Sequence, residues 1–164
     1  MTSRDGGSKP VPIIASVIVA LMLAIAPLPD PLQPFRPDWV TLTLIYWAMN
    51  LPRSYGVGFA WVVGLVLDVA QGTLLAQHAL AMSLVVYLTA KFHLQLRVFP
   101  VLQMAATAFA LLSAYRFVLF WINGVAGIAA PSVTYWGPVI TGAMLWPLIA
   151  GILGSLPYRR PAGT

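Results

Sequence analysis

The sequence predicts an all-α, polytopic transmembrane bundle of six helices with both termini in the cytoplasm. Three observations carry this. Of 164 residues, 60% are hydrophobic and only 8% charged, whereas charged residues make up about a quarter of a water-soluble domain. Several apolar stretches approach the roughly 20 residues needed to cross a hydrocarbon core about 30 Å thick. The basic residues between those stretches fall mostly on one side. A membrane β-barrel would instead alternate apolar and polar residues in strands of about ten, whereas Val11 to Ala26 and Leu80 to Val86 are apolar on every side.

The chain divides into an N-terminal cytoplasmic tail (1–10), a single transmembrane domain (11–156) and a C-terminal cytoplasmic tail (157–164). The first helix is expected over 11–26, ended by Pro27 and the turn-rich run from Pro29 to Pro37. Arg4 and Lys9 ahead of an apolar core ending Ala24-Ile25-Ala26 also resemble a secretory signal, but Pro27 directly after the cleavage position disfavours cutting. This segment is therefore read as a retained helix.

The second helix is expected over 39–51, ending at Pro52-Arg53. It is short for a span and carries Asn50, so it needs extension by its loop, little tilt or local thinning of the bilayer. The remaining helices are expected over 55–70, 74–90, 98–122 and 133–156. A five-helix count would put the termini on opposite sides and destroy the charge asymmetry.

That asymmetry sets the orientation. Arg4, Lys9, Arg53, Lys91, Arg97, Arg159 and Arg160 lie on one side, while the opposite loops hold Arg36, offset by Asp30 and Asp38, and two uncharged links. Loops rich in Lys and Arg stay in the cytoplasm. The same rule accounts for the net charge of +5, so no nucleic-acid partner is expected; the partner environment is the lipid bilayer. Trp39, Tyr55, Trp121, Tyr135 and Trp136 fall near helix ends, where amphipathic rings prefer the headgroup zone, and Trp61 and Trp146 lie deeper as packing residues.

Catalytic chemistry has little to stand on. The absence of cysteine excludes disulfides, thiolate metal sites and cysteine nucleophiles. There is no phosphate-binding glycine loop and no zinc-hydrolase helix motif, and no placed base activates Ser83 or Ser113. His93, beside Lys91 and Arg97, reads as a solvated or headgroup-facing residue. Neither enzyme activity nor a cofactor or metal is expected.

Two ionisable residues interrupt apolar stretches, Asp68 and Arg116, and His78 opens the fourth segment at a similar depth. A charge near the bilayer centre costs at least about 2.5–3.5 kcal/mol, so such residues face the bundle and pair. Asp68, His78 and Arg116 therefore form a candidate buried polar cluster on the outer side, read as a structural lock between helices or as a proton relay or substrate site. Gly56, Ala60, Gly64, Asp68 and Gly72 recur every four residues, and small residues at that spacing let helix backbones approach closely. Gly56, Ala60, Gly64 and Gly72 are the candidate packing face.

From Arg36-Pro-Asp-Trp39 and Tyr46-Trp47-Ala48-Met49 onward, the sequence resembles the MreD family of bacterial rod-shape proteins. The likeness runs through Gly64-Leu-Val-Leu-Asp68-Val-Ala-Gln-Gly72, Gln77-His78-Ala79-Leu80-Ala81, Leu96-Arg97-Val98-Phe99-Pro100, Gln103 and Phe120-Trp121-Ile122, and ends at Leu145-Trp146-Pro147. Two departures are Ala76, where the family pattern often has Gly, and Arg116, where it has an uncharged polar residue. The resemblance implies a scaffold in the inner membrane of a rod-shaped bacterium, partnering MreC and, through it, MreB and the wall-synthesis pair of RodA and its cognate transpeptidase. Similarity of that family's fold to the six-helix substrate-binding subunits of energy-coupling-factor transporters supplies the alternative, a small-solute transporter subunit.

Overall fold

The structure, a computed structural model, describes residues 10–129 and 132–157; Arg4, Lys9, Arg159 and Arg160 of the orientation argument lie outside them. The described regular structure is helical. It comprises α1 (Val11–Ile25), α2 (Trp39–Asn50), α3 (Val57–Gln71), α4 (Gln77–Leu96), α5 (Val101–Val125) and α6 (Gly137–Gly154), with 3-10 turns at Asp30–Phe35 and Val133–Trp136. Pro100 sits at the N-cap of α5.

α4 differs most from its expected bounds. Five residues, Gly72 to Ala76, are consumed in the reversal from α3, and the helix then continues past Ala90 to Leu96. Lys91 and His93 do not stop it, because basic groups in a last turn favour the negative end of the helix dipole and long side chains can reach the headgroups.

α4, α5 and the unit formed by Val133–Gly154 are each long and apolar enough to cross a membrane. α1 and α3 have 15 residues each, about 22 Å at 1.5 Å per residue. α2 has only 12 residues, about 18 Å by the same rise, yet it is the centre of the molecule. All of its residues from Val40 to Asn50 are buried, against α1, α4, α6 and, over a smaller area, α5. α3, α4, α5 and α6 follow round the outside, each packed on the next, while α1 closes on α2 and touches α3.

This placement resolves the problem of the short second segment. A helix that meets lipid must cover the hydrocarbon thickness, because lipid cannot satisfy its terminal amides and carbonyls. α2 meets protein on all sides, so its ends need protein partners instead. It can also carry polar residues: Thr43 donates to the Trp39 carbonyl at 2.9 Å and Asn50 to the Tyr46 carbonyl at 2.9 Å. The Trp47 indole donates to Ser16 Oγ at 2.9 Å and ties α2 to α1.

The two deep tryptophans separate. Trp146 is buried as expected from its depth, but Trp61 is exposed at 37% on the outside of α3. The inward face of α3 is Ala60, Val63, Gly64, Leu67 and Asp68, a helical stripe that Trp61 misses by one position.

Candidate functional site

The site is built where three connections converge: the Asp30–Phe35 turn, the reversal from α3 to α4, and the Val133–Trp136 turn before α6. Its first part is the α3–α4 hairpin. Gly72, at φ +64°, ends α3 in the left-handed conformation, and the Thr73 amide turns back to the Asp68 carbonyl at 3.1 Å. Ala76 then takes φ +73° at the N-cap of α4 and offers no side-chain oxygen to that helix's first amides. Asp68 supplies it from across the hairpin. Its Oδ1 accepts from the His78 amide at 3.1 Å, and its Oδ2 from the Ala79 amide at 3.4 Å. Oδ1 also lies 2.7 Å from His78 Nδ1 and 3.0 Å from the Thr73 hydroxyl.

Asp68 is thus an N-cap donated by a neighbouring helix. Its negative charge meets the positive end of the α4 dipole and satisfies amides that the helix itself cannot. Because Oδ1 is an acceptor here, the ring proton of His78 sits on Nδ1, leaving Nε2 turned to the other side. The approach depends on Gly64, where a β-carbon would sit 2.6 Å from the Ala79 nitrogen. Ala60, fully buried, continues that face.

The other two small residues of the stripe have different surroundings. A β-carbon at Gly72 would meet nothing within 4 Å, and this residue serves the left-handed helix end. At Gly56 the nearest atom to such a β-carbon is the Pro52 carbonyl oxygen, 3.0 Å away in the preceding turn. A four-residue repeat cannot distinguish a helix face from its caps, and both glycines flank α3 rather than lie within it.

Arg116 does not join Asp68. Its Nε lies 2.9 Å from Asp38 Oδ2 and its NH2 nitrogen 2.7 Å from Asp38 Oδ1, a two-pronged ion pair between α5 and the N-cap of α2. The Tyr135 ring lies 5.0 Å from the guanidinium, and its hydroxyl donates to the Arg116 carbonyl at 3.0 Å. Burial of α2 at the bundle centre brings Asp38 to α5, a contact spanning 78 positions of sequence.

Two further arginines complete the pattern. Arg36 donates to the Ala24 and Ala26 carbonyls at the end of α1. Arg97 donates to the Asn50 carbonyl and, at 3.1 Å, to the Met49 carbonyl at the end of α2. Both place a cation on the negative end of a helix dipole. In sequence these residues look like orientation charges in loops; no local signal marks a cap that serves a distant helix. Asp38 is an N-cap residue type directly before the apolar run, but its side chain makes no cap hydrogen bond and turns to Arg116 instead.

These groups border a cavity of about 600 Å³. Its polar lining includes Arg36, Asp38, His78, Arg116 and Tyr135, and its apolar lining Leu67, Met82 and Leu119. Asp68 stands behind His78.

The family model for rod shape-determining protein MreD matches residues 9–155. A Rod shape-determining protein MreD from Haemophilus influenzae is 35% identical over 85 residues, 52% of each chain. The matched stretch thus spans about half the length of that curated relative. No solved structure matches the chain.

Proposed function

The chain belongs to the MreD family of rod shape-determining proteins, and from that premise we propose that it is a non-enzymatic scaffold of the bacterial inner membrane. In this reading it partners MreC and, through it, supports MreB and peptidoglycan synthesis by RodA and its cognate transpeptidase. Both termini lie in the cytoplasm. The observation that carries the scaffold reading is how the charges within the bundle are used. Asp68, Arg36 and Arg97 are engaged at the ends of neighbouring helices, and Asp38 and Arg116 with each other. Such an arrangement rigidifies the bundle and leaves apolar outer faces for association with other spans, where close packing drives binding in lipid.

Depletion in the native cell, combined with copurification from its membranes, tests this reading. Depleted cells should turn round, and tagged protein should capture MreC. Gly64→Leu, which drives a side chain into the α4 backbone, should lower folded protein and disturb shape together. Cells that stay rod-shaped on depletion, or tight binding of a vitamin-like solute without capture of MreC, would replace the scaffold with the transporter-subunit reading.

A further inference from the structure

The cavity holds more than helix capping requires. Its volume of about 600 Å³ falls within the range of roughly 300–1,000 Å³ typical of sites for organic ligands and far exceeds the needs of a lone ion. Two of the residues around it carry buried polar atoms without a partner: Arg36 Nε and Thr41 Oγ1. Thr41 is 1% exposed and stands near the Tyr115 hydroxyl without the geometry of a hydrogen bond to it. Both atoms can donate, and an orphaned buried donor costs free energy that a ligand acceptor would recover.

The charge inventory narrows the ligand. Arg116 is neutralised by Asp38, and Asp68 is occupied by His78, Thr73 and the start of α4. No carboxylate among the described residues pairs with Arg36, whose guanidinium meets only backbone carbonyls. Arg36, a positive charge with no carboxylate partner among the described residues, shares the cavity lining with Leu67, Met82 and Leu119, which suits a ligand with one negative charge, several acceptor oxygens and an apolar body.

We propose that this cavity binds a phosphodiester monoanion attached to an apolar body, the chemistry of an anionic phospholipid headgroup. A soluble phosphodiester shares the recognised group and is distinguished by the test. Arg36 Nε and the Thr41 hydroxyl donate to the phosphate oxygens, and the apolar lining takes the glycerol and first methylenes. Lipid binding of this kind does not depend on the scaffold role, since a scaffold can hold a structural lipid.

The test uses the full chain purified in detergent, titrated with phosphatidylglycerol, with glycerophosphoglycerol (the same headgroup without tails) and with diacylglycerol (the body without phosphate). Native mass spectrometry and thermal shift are the readouts. One phosphatidylglycerol per chain should be retained and should raise the melting temperature, with diacylglycerol inactive. Competition by glycerophosphoglycerol identifies a site read through the headgroup alone; its failure to compete assigns the lipid as the source. Thr41→Val removes a donor at nearly constant shape and should weaken retention about tenfold, the worth of a hydrogen bond to a charged group. Ala70→Trp should abolish retention by filling the cavity from its exposed rim, a position whose substitution leaves the core untouched. Retention unchanged in both variants, saturable binding absent altogether, or diacylglycerol competing as well as phosphatidylglycerol would overturn the proposal.

Discussion

The Asp68 carboxylate of α3 caps the first turn of α4 through the His78 and Ala79 amides while holding the His78 ring at 2.7 Å. One side chain therefore fixes both the hairpin and the ring that borders the cavity. Asp68→Ala orphans those amides and is expected to cost about 1–3 kcal/mol. Asp68→Asn, which keeps one acceptor oxygen, should cost less, and so should His78→Ala, which leaves the cap in place. Thermal melts of the three variants in detergent check the order; an Asn variant as damaged as the Ala variant would refute the capping role.

Arg116 belongs energetically to Asp38. In a double-mutant cycle, Asp38→Ala and Arg116→Ala should show a coupling within the range of about 0.5–3 kcal/mol found for contacting pairs, toward its upper half because the pair is two-pronged and largely shielded. Asp68→Ala and Arg116→Ala should be additive within about 0.5 kcal/mol. Strong coupling in the second cycle would contradict the pairing.

Ala76 holds a left-handed backbone at φ +73°, a conformation that costs a residue with a β-carbon about 1–2 kcal/mol. Ala76→Gly removes that strain and loses part of the gain to the entropy of the unfolded chain, about 0.5–1 kcal/mol. A net stabilisation of roughly 0.5–1 kcal/mol is expected from those two terms, read as a higher melting temperature. A lower melting temperature would show that the Ala methyl contributes packing that outweighs the strain.

Reporter fusions test the orientation inferred from Lys and Arg. Fusions after Leu51, Ala70 and Thr164 should report cytoplasm, periplasm and cytoplasm. A periplasmic C-terminal fusion would reverse or break the six-span topology.

Much of this protein was legible before any tertiary information. Apolar length separated by Pro, Gly and charge is a property of the chain alone, because the bilayer demands it of every span. That Asp68 points into protein was read from the four-residue repeat Gly56, Ala60, Gly64, Asp68, Gly72, of which Ala60, Gly64 and Asp68 share the inward face of α3 and the two end glycines cap it. Ala76 stood out as a departure from a pattern, though not as a strained position, because φ is decided by the reversal that follows Gly72.

Which helix lies at the centre, and which groups close its ends, emerges from packing alone. The apolar residues of α2 look like those of any lipid-facing span; periodicity carries no mark of burial on every side, and a 12-residue length reads as a defect until neighbouring helices replace lipid around it. Once α2 is central, Asp38 is delivered to Arg116 and the end of α2 to Arg97. The need for charges in this chain to be paired or placed at interfaces is a property of its composition, because an isolated charge in hydrocarbon is costly. The partners, separated by up to 78 positions, were chosen by packing.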